Sequence, residues 1–280
     1  MTGPDFDHFC RLVLTRSGLV LNEAKAYLVQ SRLEPIARSI GVAGTPELLA
    51  LLRAGPPHGL EQRCVDAMAT HESMFFRDTT PFEQMATVVL PQLARARSPG
   101  QPLRIWCAAC YSGQEPYSLA IVIQELSGLL GGRRVEIVGT DMSDAILNKA
   151  RSGMYSDFEV RRGLSPERLN RWFQRSGDGW QAAGQLKGMI FFQKHNLLDG
   201  VGGLGPFDIV LCRNVLIYFD PAGKTRVLEQ IARAIRPDGA LFLGSAETVI
   251  GLTDAFTAPT GRGGYYRPNV VDGLASLKSA

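Results

Sequence analysis

The sequence predicts an α/β protein of two bodies: an all-helical segment over residues 1–90, and a domain built on a parallel sheet over residues 103–270. Three observations carry this. Residues 5–90 place apolar side chains at helical spacing, broken by caps and glycines. From residue 103 onward, strand-like apolar runs alternate with amphipathic helical runs, the pattern of a parallel sheet covered by helices on both faces. The alternation is interrupted once, at about residues 154–190, where Gly163, Gly177, Gly179, Gly184 and Gly188 fall among short extended runs, as in a small inserted β subdomain.

In the helical segment, Phe6, Phe9, Leu12, Val13 and Leu14 define a first helix. A second, "NEAKAYLVQSRLEPIARSIG", carries Ala24, Tyr27, Leu28, Leu33, Ile36 and Ala37 on one face, with Asn22 as N-cap and Gly41 as its stop. "TPELLALLR" takes Thr45 as cap and Pro46 as first helical residue, and "GLEQRCVDAMAT" is another helix. In "THESMFFRDTTPFEQM", Asp78 and Thr79 read as a cap before Pro81. Arg77 directly follows the apolar Met74-Phe75-Phe76 and either snorkels to solvent or serves a site. Residues 91–102, rich in Pro, Gly and Arg, read as a helix end and linker.

The second body opens with "LRIWCAACYSGQEPYS" (103–118), read as strand, tight turn and helix, the helix running over 115–127. "RVEIVGT" is a strand closed by Asp141, and "SDAILNKARSG" is a helix. The insert holds a helix, "SPERLNRWF", capped by Ser165, and a hairpin around "SGDGWQAAGQLKG". Strand "MIFFQKH", strand "FDIVLC" (207–212), helix "KTRVLEQIARAIRPDG", strand "ALFLGSAE" and a last short strand in "GYYRPN" follow. Residues 271–280 read as a flexible tail.

With 45% hydrophobic and 20% charged residues in 280, the chain has ample material for folded cores. No apolar run reaches the roughly 18 residues a membrane span needs, and "MTGPDFDHFC" lacks a signal-peptide core, so a cytoplasmic protein is expected. Five scattered cysteines, Cys10, Cys64, Cys107, Cys110 and Cys212, suit reduced core thiols better than disulfides. Cys107-x-x-Cys110 has no second pair, and His8, His58, His71 and His195 are dispersed, so no metal site is expected. The net charge of +3 is uneven: residues 1–90 hold 8 basic and 10 acidic side chains, residues 149–195 hold 9 and 4. That basic segment is either a docking surface for an acidic partner or a solvated face.

Ligands of open parallel sheets lie beyond the carboxyl ends of the strands. The small residues Ala108, Ala109, Ser112 and Gly113 let a ligand approach the backbone beside a helix N-terminus, which suits a nucleoside cofactor. Asp141, 33 positions after Ala108, is either the acceptor of both ribose hydroxyls or an N-cap. Glu115 is either a dipole partner of its helix or the acceptor of a ligand amine. Asn214 and Tyr218 line the same rim, although Asn214 also suits a turn. With one glycine in "CAACYSGQEP", the Gly-x-Gly-x-x-Gly fingerprint of dinucleotide enzymes is missing, and no Gly-x-x-x-x-Gly-Lys-Ser/Thr P-loop occurs. A mononucleoside remains.

Taken together, "FFRD" (75–78), "WCAACYSGQEPYSLA" (106–120), "GTDMS" (139–143), "NLLD" (196–199), "FDIVLCRNVLIYFD" (207–220) and "GSAE" (244–247) resemble the CheR family of chemotaxis receptor methyltransferases over nearly the whole chain. The resemblance implies an N-terminal helical domain and a Rossmann-like S-adenosylmethionine-dependent methyltransferase domain with an inserted β subdomain. It implies transfer of a methyl group from S-adenosylmethionine to glutamate side chains of chemoreceptors, giving methyl esters and S-adenosylhomocysteine, for sensory adaptation. It makes Asp141 the ribose ligand and Glu115 the partner of the cofactor's amino group, with Asn196, Leu197, Asn214 and Val215 around the adenine and methionine parts. Against a family pattern near Thr-Asn-x-Thr-x-Phe-Phe-Arg, His71 departs from the Asn position and Ser73 keeps the second hydroxyl. Arg77 and Tyr218 match the residues near the reacting centre.

The implied partner is the acidic helical cytoplasmic region of a receptor, with the enzyme a monomer, peripheral to the membrane only through that receptor and binding no nucleic acid. The basic segment, with Lys25, Arg32 and Arg38, is expected to steer docking. The hairpin around Gly177–Gly188 is shorter than in members that bind a receptor's C-terminal peptide, so tail-independent recognition is expected. Rival classes are a methyltransferase acting on a small molecule or nucleic acid, and a non-enzymatic nucleoside sensor.

Overall fold

Four helices, α1 (Pro4–Ser17), α2 (Ala26–Ile40), α3 (Thr45–Ala54) and α4 (Leu60–Met68), close the first body around Phe9, Val13, Val29, Leu33, Leu48, Leu52 and Val65. The structure, a computed structural model, describes residues 2–69, 72–257 and 264–269, so His71 and the expected tail at 271–280 lie outside the described residues. Gly18 and Gly41 end α1 and α2 in the left-handed conformation, as expected of C-terminal glycines. Two expected caps differ. Asn22 precedes a 3-10 turn (Glu23–Lys25) and makes no side-chain cap bond. Thr45 is already helical, and its hydroxyl reaches back to Glu34 Oε2 on α2 at 3.1 Å, because packing of α3 on α2 brings that acceptor within reach.

Helix α5 (Thr79–Gln84), a π-helical turn (Met85–Val89) and α6 (Leu90–Ala96) follow. Their side chains Phe82, Met85, Val89, Leu90 and Leu93, with Phe75 and Phe76 before them, pack into the core of the sheet and not into that of the four helices. Asp78 makes no cap bond to α5. A buried guanidinium, Arg213, takes its carboxylate at 3.0 Å instead. The stretch after α6 is fixed by charge: Arg97 reaches the buried Asp208 and the exposed Asp238, and Arg133 donates to the carbonyls of Ala94, Arg97, Ser98 and Gln101.

The second body then runs β1 (Leu103–Ala108), α7 (Gln114–Glu125), β2 (Val135–Asp141) and α8 (Asp144–Ser152). The insert comprises β3 (Met154–Ser156), α9 (Asp157–Arg161), α10 (Pro166–Trp172), β4 (Phe173–Ser176), β5 (Gly179–Ala182) and α11 (Gly184–Lys187). Strands β6 (Ile190–Lys194) and β7 (Phe207–Cys212), helix α12 (Pro221–Ala234) and strands β8 (Ile235–Leu243), β9 (Phe256–Thr257) and β10 (Arg267–Pro268) complete it. Helix α12 stops earlier than its apolar spacing suggests, because Pro237 forces the chain before it into an extended path that opens β8.

The main sheet is parallel throughout, in the order β6-β2-β1-β7-β8. Its order reverses between β1 and β7, so a crevice opens beyond the carboxyl ends of those strands. One face packs α7 and the insert around Ile105, Cys107, Leu119 and Ile137; the other packs α12 around Trp106, Val210, Val227 and Ile231. Alternate residues of β1 thus feed opposite cores, as a sheet covered on both sides requires. The insert is an antiparallel sheet ordered β3-β5-β4.

Over residues 149–195 much of the expected free positive charge is spent in ion pairs. Lys149 pairs with Glu159, Arg161 and Arg175 with Asp157, Arg162 with Glu72, Arg168 with Glu125 and Lys194 with Asp144. Lys25 donates to the Val20 carbonyl, and Arg32 to those of Met68 and Ala69 at the end of α4. The count of basic residues overstated the surface because several of the neutralising acids lie outside the segment. Among the described residues, no helix is long and apolar enough to cross a membrane.

Candidate active site

The turn after β1 is built on unusual backbone. Ala109 and Tyr111 adopt φ of 53° and 51°, and Gly113 takes 94° at the mouth of α7. A side chain at Gly113 would stand 3.0 Å from the Tyr155 hydroxyl and 3.2 Å from Ala150, so glycine is required there on both counts. The Cys110 N–H donates to the Thr140 carbonyl at 2.8 Å, fixing the turn to the end of β2.

Asp141 closes β2 beside that turn and is 8% exposed. Its carboxylate accepts the N–H of Tyr111 at 3.0 Å and of Ser143 at 3.1 Å. Burial pushes its pKa above the usual carboxylate range, although these bonds pull the other way. Ser143, not Asp141, stands at the N-cap position of α8.

Glu115, in the first turn of α7, faces the same space. It is neither a simple dipole partner nor unpaired: Arg213 donates to its Oε2 at 2.9 Å. Burial raises its pKa and Arg213 opposes that rise. The guanidinium of Arg213 also donates to the Arg77 carbonyl at 2.7 Å and to Asp78. Residue spacing alone assigns Arg213 no role, although an arginine directly behind the apolar run "FDIVLC" is a signal.

The loop before α5 reaches the cavity under constraint. Phe76 and Asp78 have φ of 52° and 53°, and the Phe76 N–H donates to the buried Ser118 hydroxyl at 2.9 Å. Arg77 turns its guanidinium onto the Glu72 carbonyl at 3.1 Å, and Glu72 pairs with Arg162 of the insert. Opposite, Asn214 sits at φ 58°, and Glu247 accepts the N–H groups of Asn214, Val215, Ile217 and Gly244. Tyr218 follows, and its carbonyl takes the Val20 N–H of the helical body at 3.0 Å.

One cavity gathers Ser73, Arg77, Glu115, Asp141, Asn196, Leu197, Asn214, Val215 and Tyr218. These are all the cofactor-binding and catalytic residues expected from the sequence except His71, which lies outside the described residues. Asn196 enters with its side chain occupied, donating to the Arg16 carbonyl and accepting from the Leu198 N–H. Ser17, Leu19, Met74, Phe82, Met142 and Phe219 supply further wall, so both bodies contribute. Burial pushes the thiols of Cys107, Cys110 and Cys212 well up, which keeps them protonated.

The donor set suits a cationic nucleoside. Two carboxylates, the buried Asp141 and the partly buried Glu115, stand at neighbouring strand and helix ends between apolar walls. An anion held by N–H groups at a strand end accepts vicinal hydroxyls, and a second anion in an enclosed space accepts an ammonium. The residues present therefore fit S-adenosylmethionine.

Comparison with known proteins agrees. A model of the CheR methyltransferase all-alpha domain matches residues 4–69, and one of the CheR methyltransferase SAM binding domain matches residues 71–263. Chemotaxis protein methyltransferase 1 of Pseudomonas aeruginosa is 43% identical over 258 residues, covering 90% of this chain and 93% of its own. Chemotaxis protein methyltransferase Cher2 of Pseudomonas putida is 42% identical over 256 residues, covering 90% and 93%. Chemotaxis protein methyltransferase 1 of Vibrio cholerae is 41% identical over 257 residues, covering 90% and 92%.

Proposed function

Because this chain belongs to the CheR family of S-adenosylmethionine-dependent chemotaxis methyltransferases, we propose that it methylates glutamate side chains of chemoreceptors, leaving S-adenosylhomocysteine. The observation that carries this reading is the single cavity holding Arg77, Glu115, Asp141 and Tyr218 where the two bodies meet. S-adenosylmethionine supplies an electrophilic methyl group on a sulfonium. In this reading Asp141 holds the ribose hydroxyls, Glu115 the amino group, and the chain around Leu197, Asn214 and Val215 the remainder.

A glutamate side chain is already ionised near neutral pH, so the reaction needs no general base. The charges of nucleophile and sulfonium fade towards the transition state, and a site that excludes water favours such a step. The chain's own task is therefore alignment. Arg77 anchors a carboxylate at the mouth of the cavity, and Tyr218 orients the reacting pair from the opposite rim. Met74, Phe82 and Phe219 line the walls and keep water out.

The partner in this reading is an acidic helical stretch of a receptor's cytoplasmic region, with the enzyme a cytoplasmic monomer that meets the membrane only through the receptor. The pairing of basic side chains across residues 149–195 gives no support to a nucleic-acid substrate. The deciding experiment incubates the protein with radiolabelled S-adenosylmethionine and receptor-containing membranes. Label on the receptor that mild alkali releases as methanol supports the ester; alkali-stable label, or none, refutes it.

A further inference from the structure

We propose that Arg213 is a positioning residue for methyl transfer, locking the Glu115 carboxylate and the main chain of Arg77 to one another across the cavity. Its side chain is 2% exposed and, from the end of β7, reaches two other elements: Glu115 on α7 at 2.9 Å, and the Arg77 carbonyl at 2.7 Å and Asp78 at 3.0 Å on the loop before α5. The Phe82 ring lies 5.7 Å from the guanidinium carbon. A compact ammonium does not span acceptors set in these directions, whereas a planar fork does.

Stability alone is a poor reason for this arrangement, since apolar side chains of similar volume serve a core as well as a buried ion pair. The arrangement also costs backbone freedom, for Asp78 is held at φ 53° where its carboxylate meets the guanidinium. What the pair secures is a carboxylate that stays 15% exposed, towards the cavity. The groups acting on Glu115 are Arg213 from β7, Arg77 from the loop and Glu247 from the segment after β8; the thiols of Cys107 and Cys212 are neutral neighbours. Arg213 is the strongest of these influences on the carboxylate and opposes its desolvation. Without it, the desolvation of Glu115 is less opposed, so the carboxylate takes up a proton more readily and attracts an ammonium less.

The inference rests on the reading that Glu115 faces the amine of the bound nucleoside. Calorimetric titration with S-adenosylhomocysteine, from mildly acidic to mildly alkaline pH, tests it on the full chain. Arg213→Met is expected to weaken binding about tenfold or more at neutral pH. The loss shrinks towards alkaline pH as Glu115 ionises, and Arg213→Lys restores part of it. The double variant Arg213→Met/Glu115→Gln leaves no unpaired buried charge, so it keeps the test open if Arg213→Met does not fold; it is expected to bind no worse than Glu115→Gln alone. Unchanged affinity in Arg213→Met overturns the inference, as does a pH-independent loss that adds to that of Glu115→Gln. Unchanged affinity in Glu115→Gln overturns the reading of Glu115 itself, a separable result.

Discussion

Glu247 receives the main-chain N–H of Asn214 at 2.8 Å, and Asn214 sits in the left-handed region at φ 58° where that bond is made. The same carboxylate takes the N–H groups of Val215, Ile217 and Gly244, so one side chain shapes the whole rim that carries Tyr218. Glu247→Gln turns an amide NH2 towards N–H donors and breaks part of this set. We expect S-adenosylhomocysteine affinity to fall about tenfold or more, since charge-assisted bonds contribute roughly 1.5–3 kcal/mol each. Calorimetry on the purified variant checks this, and wild-type affinity would remove Glu247 from the site.

Gly163 of the insert supports the opposite rim. It has φ 108°, and a Cβ there would fall 1.8 Å from the Phe75 carbonyl oxygen, a clash with backbone that no side-chain motion relieves. Gly163→Ala therefore displaces the segment bearing Phe75, Phe76 and Arg77, or the insert itself. A loss of about 2 kcal/mol or more is expected, visible as a lowered thermal midpoint. A midpoint within experimental scatter of the parent would show that the loop tolerates the shift.

Strands and their polar ends were legible in the sequence because they are local: "VEIVGTD" and "FDIVLC" are apolar runs bounded by turn residues, and Asp141 and Asn214 stand where such runs stop. The fate of those polar groups was not legible. The Glu115–Arg213 pair joins positions 98 apart, and Glu247 meets Asn214 across 33. Asp78 has the composition of a cap and answers instead to a distant guanidinium, and Asn196 spends its amide on Arg16 of the helical body. Tertiary electrostatics decided these cases, and no spacing rule encodes it.

His195 lines the cavity with a buried Nε2 that has no hydrogen-bond partner among the described residues. Burial pushes its pKa below the usual histidine range, with Asp199 pulling the other way. Between the ordinary value of about 6.5 and the lowered one, the folded protein binds fewer protons than the unfolded chain. Its contribution is therefore full above about 6.5 and drains as pH falls through that window. Thermal midpoints measured from neutral to mildly acidic pH should drop more steeply in the parent than in His195→Asn. Parallel curves would mean that the imidazole titrates normally.

Charge steering by residues 149–195 should be weak. With Lys149, Arg161, Arg162, Arg168, Arg175 and Lys194 each within an ion pair, these side chains present little unneutralised field to an approaching receptor. Initial rates of receptor methylation should fall only modestly between low and physiological salt. A steep decline would place docking on another, unpaired basic face.

Arg77 is held differently from its neighbours. Its main-chain carbonyl is fixed by Arg213, whereas its guanidinium, among the described residues, donates to one carbonyl, that of Glu72, at 3.1 Å, and stays half-buried at the cavity wall. A side chain whose base is rigid and whose tip is lightly held is suited to exchange a carbonyl for an incoming carboxylate, because the charge-assisted bond is the stronger of the two. Arg77→Ala should therefore spare the fold and the thermal midpoint. It should cost on the order of 2–5 kcal/mol in kcat/KM for receptor methylation, the range for losing one partner of a desolvated charged pair. Arg77→Lys keeps the charge without the fork and should fall between the two. Turnover and S-adenosylhomocysteine affinity measured on the three proteins separate the possibilities. A deficit confined to affinity places the guanidinium on the nucleoside's carboxylate, a deficit confined to turnover places it on the receptor's, and no deficit in either refutes the role.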